Sequence, residues 1–224
     1  MNIDRPGQKG AGRQKAGLTV NEKFFSLPRA KQQSILNAGF HAFAGSSYRR
    51  TSCREIAEEA GISKALLFHY FHNKKEFYLF LLDTASCLTE EALAQSGAFE
   101  EKDLFEQLRK GILVKIGLMR RFPDMGTFSL KAFYEKDEEV FREIRERIDH
   151  YSDYQRNQER LQLDPKDFRP GIDLHMMYKE MLWASEGYLW EYCQEPGFDI
   201  EQVEKDFNRL VGFWRSIYAR EDER

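Results

Sequence analysis

The chain has 224 residues, with 34 Lys+Arg against 37 Asp+Glu for a formal charge of −3, and a mean hydropathy of −0.65. That length supports one or two domains with a sizeable core. No apolar run approaches the roughly 18 residues of a membrane span, so no membrane partner is expected. Cys53, Cys87 and Cys193 are few, distant and odd in number. With no apolar leader-like stretch at the start, they fit a reducing cytoplasm rather than a disulfide framework.

Charge is unevenly placed along the chain. Residues 1–75 hold 13 Lys+Arg and 5 Asp+Glu, whereas residues 76–224 hold 21 and 32. A basic first third on an acidic remainder suits a protein that offers one end to a polyanion. Residues 1–20 carry glycines, Lys9, Arg13 and Lys15 but almost no large apolar side chain, and read as a flexible basic tail. Such a tail is either solvated or reaches a DNA minor groove.

From Pro28, apolar residues Ile35, Ala38, Gly39, Ala42 and Phe43 recur at helical spacing, predicting a helix over 28–44. Ser52 and Glu55 have capping-box spacing and begin a short second helix that ends at Gly61. Ser63 caps a third, 63–70, with Leu67 and Phe71 turned inward. Only Gly61 and Ile62 separate the second and third helices, which predicts a helix-turn-helix. A longer helix runs to about 95. Beyond Gly97 no strand pattern occurs, and helices are expected near 101–121, 124–134, 137–162, 172–194 and 199–220, several of them stopped by proline. The expected fold class is all-α. Its expected parts are the tail, a DNA-binding domain over 21–75 and a helical ligand-binding and dimerisation domain over 76–224.

The stretch Thr51-Ser-Cys-Arg-Glu-Ile-Ala-Glu-Glu-Ala-Gly-Ile-Ser-Lys-Ala-Leu-Leu-Phe-His-Tyr-Phe-His-Asn-Lys74 resembles the DNA-binding domain of the TetR/AcrR family of bacterial transcription regulators. The likeness extends over about 28–82, and the ending Tyr70-Phe71-x-x-Lys74 separates this family from other helix-turn-helix proteins. It implies a three-helix DNA-binding domain, a helical body that dimerises and holds a small effector, and no cofactor or catalytic role. Two departures stand out. Ala65-Leu66 replaces the usual small-then-polar pair, and Phe68 replaces the usual tyrosine, removing one possible phosphate hydrogen bond.

Carried onto this chain, the resemblance places Thr51, Ser52, Arg54, Ser63, Lys64, Ala65, Phe68, His69, Tyr70 and Lys74 at the DNA. Lys64 can donate to guanine or to a phosphate, and Ala65 offers a methyl to thymine. Ser52, Ser63, Tyr70 and Lys74 suit phosphates, and so fix register rather than sequence. Ser52 and Ser63 also cap helices, which is compatible with phosphate contact. Tyr70 also reads as core, and a solvated lysine is the alternative at Lys64 and Lys74.

The last two helices, with Met177, Met181, Leu182 and Leu189 and then Val203, Phe207, Val211, Phe213, Trp214 and Ile217, have enough apolar surface to pack on each other and on a second copy. A two-fold homodimer would set two recognition helices about 34 Å apart on a palindromic double-stranded operator. For a small apolar or aromatic effector, the candidate residues are Met119, Phe122, Phe128, Phe133, Tyr134, His175, Tyr178 and Trp183, with Met176, Tyr188, Trp190 and His150 nearby in pattern. Each of these is equally what a helical core contains.

No Glu-x-x-His pair, Cys-x-x-Cys, His-Glu-x-x-His, Gly-x-Ser-x-Gly or phosphate-cradling Gly-rich loop occurs, which argues against an enzyme and a metal site. The reading is a ligand-responsive repressor. Its rival is an architectural or protein-regulated DNA-binding protein without a small-molecule effector. Cys53 reads first as a packed small hydrophobe; the alternative is redox sensing, since a place beside Arg54 at a helix start would lower the thiol pKa.

Overall fold

The computed structural model describes residues 20–98, 100–156, 163–192 and 199–220. The expected tail lies, apart from Val20, outside the described residues, as does the expected helix 137–162 beyond Arg156. Ten α-helices occur among the described residues: α1 Glu22–Phe25, α2 Arg29–Gly45, α3 Cys53–Glu59, α4 Lys64–Phe71, α5 Lys74–Gln95, α6 Leu104–Arg121, α7 Met125–Tyr134, α8 Phe141–Arg156, α9 Leu174–Tyr192 and α10 Ile200–Tyr218. One turn of 3-10 helix, Pro165–Asp167, precedes α9. The fold is all-α, and its one extended pairing among the described residues is an isolated bridge between Phe168 and Ala219.

Two compact units form, Met1–Glu90 with Arg121–Asp153, and Glu91–Arg120 with Tyr154–Arg224. In the first, α2, α3, α4 and α5 close over an aromatic core. Phe71 has no exposure and packs against Phe24, Phe77 and Phe80 at ring-centroid distances of 4.9, 4.6 and 5.1 Å. Phe43, Tyr78 and Phe128 continue this core, with Phe43–Tyr78 at 4.8 Å and Tyr78–Phe128 at 5.1 Å. The four-residue α1 is too short to show a hydrophobic period. It exists because Phe24 is fully buried and because the Asn21 N–H donates to the Tyr70 carbonyl at 2.9 Å.

Local signals start the helices as expected. Ser52 Oγ accepts the Glu55 N–H and Ser63 Oγ accepts the Leu66 N–H at 3.1 Å. The reciprocal half of the capping box does not form, since the Glu55 side chain faces solvent. Gly61 turns the chain between α3 and α4 with φ +63°, where a Cβ is disfavoured. Lys31 Nζ donates to the carbonyls of both Ala60 and Gly61 at 2.9 Å, satisfying oxygens left free at the end of α3.

The second unit has its own core, in which Leu104 and Phe105 of α6, Phe168, Met177 and Met181 of α9, and Val211 and Trp214 of α10 are buried together. The helices α9 and α10 are antiparallel, fastened by Tyr188 Oη to Asp206 at 3.0 Å and by Tyr218 Oη to Glu180 at 3.2 Å.

Gly39 lets α2 approach α5. A Cβ built there would lie 2.6 Å from Phe77 Cζ and 2.7 Å from Leu81 Cδ1. Both side chains are fully buried and have nowhere to go. Overpacking of this kind costs about 1–3 kcal/mol, against a gain near 1 kcal/mol in helix propensity. Gly39→Ala is therefore expected to lower the urea midpoint, and an unchanged midpoint would mean that α5 yields at this point.

Candidate DNA interface

The exposed side of α4 is short. Lys64, Ala65 and His69 face solvent and Phe68 is half-buried, while Leu67, Tyr70 and Phe71 point into the core. Lys64 Nζ lies 5.4 Å from the Phe68 ring centroid, so the ring that replaces a tyrosine supports the lysine stem. Ala65, with only a methyl beyond Cα, lets the α4 backbone come close to an opposing surface. His69 Nε2 is 3.4 Å from Asn21 Nδ2, which ties it to the cap of α1.

The surrounding residues divide into framework and free donors. Thr51 is buried and donates its hydroxyl to the Ser47 carbonyl at 2.9 Å, closing the loop before α3. Tyr70, at 5% exposure, stands edge-on to Phe24 and Phe71, so its ring is core. Lys74 Nζ donates to the Arg49 carbonyl at 3.1 Å and sits 4.6 Å from the Tyr48 ring centroid, holding that same loop. Arg54 is exposed but ion-paired along α3 with Glu58 at 2.8 Å. Ser52 is half-buried and Ser63 exposed, and each hydroxyl oxygen caps its helix. Arg50, not among the residues expected at the DNA, is exposed and has no side-chain partner among the described residues. Its position in Tyr48-Arg-Arg50, directly before the N-terminus of α3, was the available signal.

Residues 121–147 brace this domain within the first unit. The Tyr48 N–H donates to Glu135 Oε2 and Arg49 Nε to Asp137 Oδ2, both at 3.0 Å. Lys131 donates to the Ala44 carbonyl, Lys75 to Glu143, and Arg147 Nε to Asp83 at 2.8 Å. Burial pushes the Tyr48 and Tyr78 hydroxyls well above the usual phenol range, so both stay neutral.

The expected effector residues are not brought together. Phe122 and Phe128 are fully buried in the aromatic core of the first unit, while Phe133 and Tyr134 are exposed. In the second unit Met119 is buried, Tyr178 half-buried, and His175 and Trp183 face solvent. Met176 and Trp190 are likewise exposed, Tyr188 is engaged with Asp206, and the side chain of His150 lies outside the described residues. A helical period marks which residues alternate toward a core, but it does not distinguish a filled core from a hollow one.

Cys53 is a packed side chain, as its first reading has it, against the redox alternative. The thiol is buried, and desolvation raises its pKa despite the lowering influence of Lys74 and Lys64. Among the described residues no group of three His, Cys, Asp or Glu could hold a metal ion, and no helix is long and apolar enough to cross a membrane.

The arrangement of α3, the turn at Gly61 and α4 is a helix-turn-helix. Residues 35–79 match the family model described as bacterial regulatory proteins, tetR family, which covers the helix-turn-helix and parts of its flanking helices but less than half of the chain. It is 30% identical over 95 residues to the HTH-type transcriptional regulator RutR of Escherichia coli K12, and to that of Shigella flexneri. The match spans 42% of this chain and 43% of the relative, less than half of either. Among solved structures, a TetR family transcriptional regulator from Chloroflexus aurantiacus shares 20% identity, with 91% of this chain and 100% of that one covered and a TM-score of 0.61. The ketosteroid transcriptional regulator KstR2 of Mycobacterium tuberculosis shares 18%, with 87% and 97% covered and a TM-score of 0.64. The fatty acid degradation regulator FadR from Bacillus halodurans shares 15%, with 83% and 95% covered and a TM-score of 0.58. At these identities the likeness is one of fold.

Two measurements probe the interface framework. The Cys53 thiol should react with iodoacetamide far more slowly in the native protein than in urea, and DNA binding should survive mild oxidant. Equal native and denatured rates would place Cys53 at the surface. The bond from Lys75 holds the Glu143 carboxyl below its ordinary 4.5. A carboxyl depressed in the folded state contributes stability that is present above its unfolded pKa and lost as pH falls through its folded pKa. The Tm difference between wild type and Lys75→Met should therefore be full near pH 6 and close as pH falls through about 4 and below. A difference that persisted at about pH 2 would mean that Lys75 acts through packing.

Proposed function

We propose that the protein is a transcriptional regulator, a repressor, that binds a palindromic operator as a homodimer and is released by a small apolar or aromatic effector. The observation that carries this reading is the exposed, cation-bearing side of α4 at Lys64 and Ala65, held rigidly by the buried Leu67 and Phe71 on its other side. A recognition helix needs a free edge for bases and a fixed back. Ser52, Ser63 and Arg50 flank it with donors suited to phosphate, and base readout falls to Lys64, Ala65 and Phe68.

Homodimerisation is supported by the outer side of the second unit. Met176, Trp183 and Trp190 recur every seven residues on α9 and are exposed, Trp183 at 55%, while Phe213 on α10 is exposed at 58% and Ile217 beside it is also open. Large apolar side chains repeated on one helix face are the usual mark of a helical interface. A homodimer carries two α4 helices, one for each half of a palindromic operator.

One observation favours the rival reading, a DNA-binding protein governed by another protein or acting architecturally. Phe122 and Phe128, two of the aromatic residues expected to face an effector, fill the core instead. Thermal stabilisation by small organic compounds is predicted only by the effector reading.

The test is retention of fragmented genomic DNA at near-physiological salt, followed by sequencing. A palindromic motif is expected, whereas salt-sensitive retention without a motif would support the architectural reading. On the enriched site, Lys64→Ala and Arg50→Ala should each lower the salt slope by about one, with Lys64→Ala also relaxing base preference. Wild-type affinity and slope in both variants would remove α4 from the groove. Trp183→Glu should sediment as a monomer and lose at least about tenfold in operator affinity, and a dimeric Trp183→Glu would reject the α9 face.

A further inference from the structure

A cleft of about 370 Å³ in the second unit opens between the start of α6, residues 163–168 and the end of α10. Its walls are tied by backbone. The Arg169 N–H donates to the Tyr218 carbonyl at 3.0 Å and the Arg220 N–H to the Asp167 carbonyl at 2.9 Å, on either side of the Phe168–Ala219 bridge. The recess is thus a built feature of the unit, with its backbone groups satisfied around it.

Floor and rim differ in character. Leu104, Phe105 and Phe168 rise from the buried core to form an apolar floor, with Leu163 beside them. Lys102, Lys166 and Arg220 stand at the rim, all exposed, and none of their side chains has a hydrogen-bond or ion-pair partner among the described residues. Arg215, also lining the cleft, is already neutralised by Asp103 at 2.9 Å and lies over the Phe105 ring at 5.0 Å. Asp167, also lining the cleft, sets one negative charge against these three cations, so the balance at the rim is positive. This concentration falls within residues 76–224, where 32 Asp+Glu outnumber 21 Lys+Arg and partners for a cation abound.

An apolar floor under unpaired cations is complementary to an amphipathic anion, whose tail displaces water from the floor while its head takes charge-assisted hydrogen bonds at the rim. We propose that this cleft binds a small monocarboxylate with an apolar tail, and that such a carboxylate is the effector. The volume is near the lower end of the roughly 300–1,000 Å³ usual for ligand pockets, which selects a medium-chain or single-ring acid. Asp167 disfavours a multiply charged head. The last turn of α10 lines the cleft, and the same helix carries Phe213 and Ile217 on its outer side. A ligand that favours one setting of α10 therefore biases the dimer face, by as much as its affinities for the two settings differ. The effector role rests on the regulator reading above, whereas occupancy of the cleft does not.

The probes are octanoate, octan-1-ol as its uncharged counterpart, and inorganic phosphate as an anion without a tail, titrated calorimetrically into the full chain. Octanoate is expected to bind and to raise Tm with concentration, and the other two to bind at least about tenfold more weakly. Lys102→Glu with Arg220→Glu should weaken octanoate at least about tenfold with an unchanged far-ultraviolet spectrum, and Lys166→Glu alone gives a second readout if that pair disturbs folding. Absence of octanoate binding, equal binding of octan-1-ol, or wild-type affinity in these folded variants overturns the proposal. DNA retention is measured in parallel. Octanoate binding that depends on the rim, in a protein that retains no DNA, upholds the cleft and fails the regulator reading, whereas a retained palindrome with no octanoate binding does the reverse.

Discussion

The first unit depends on the burial of Phe71 at the last turn of α4. Its ring meets Phe24, Phe77 and Phe80 with centroids between 4.6 and 5.1 Å, so one side chain fastens α4 to α1 and α5. Edge-on and tilted rings at these separations add to the burial of the rings themselves. The fixed back of α4 leaves its other side, with Lys64 and Ala65, presented in one orientation. Without the ring cluster, an eight-residue helix has too few internal hydrogen bonds to persist in water.

Polar groups then decide which residues near α4 are free for the proposed contact with DNA. Thr51 and Lys74 have the chemistry of phosphate donors but are committed to the Ser47 and Arg49 carbonyls, which shapes the loop before α3. Arg49 is drawn to Asp137, leaving its neighbour Arg50 as the free guanidinium at the N-terminus of α3. The braces from Glu135, Asp137 and Glu143 matter because they join α7 and α8 to the loop and helix that orient the interface. A change in the setting of α7 or α8 would be felt there through charge-assisted bonds rather than through exposed apolar contacts.

The helices of the second unit are apolar on two sides. The inward set, Met177 and Met181 with Val211 and Trp214, completes a core within one chain. In the outward set, Trp183 and Phe213 stay more than half exposed among the described residues. Large apolar side chains left in water at neighbouring positions are costly, which is the physical ground for the proposed second copy. The cleft at the end of α10 shares this helix, so the proposed anion site and the proposed dimer face lie on one element.

Much of this was legible in the residues themselves. Helical period, the Ser52 and Ser63 caps and the two-residue turn at Gly61 are local signals, and each depends on neighbours within about four residues. They located nine of the helices to within a few residues where these are described, and they carried the family resemblance. The short α1 escaped because its stability comes from Phe24 meeting rings some fifty residues away. The framework role of Lys74 escaped for the same reason, since its partner carbonyl at Arg49 lies 25 residues away. Burial and partner choice are set by what the chain brings back from a distance, and a side chain's chemistry is the same in either setting. The sequence by itself thus determined the helices, the turn and the character of each face. Only tertiary packing decided which aromatic residues fill a core, which cations remain unpaired, and where a recess is left between elements, because those are properties of contacts that no local pattern encodes.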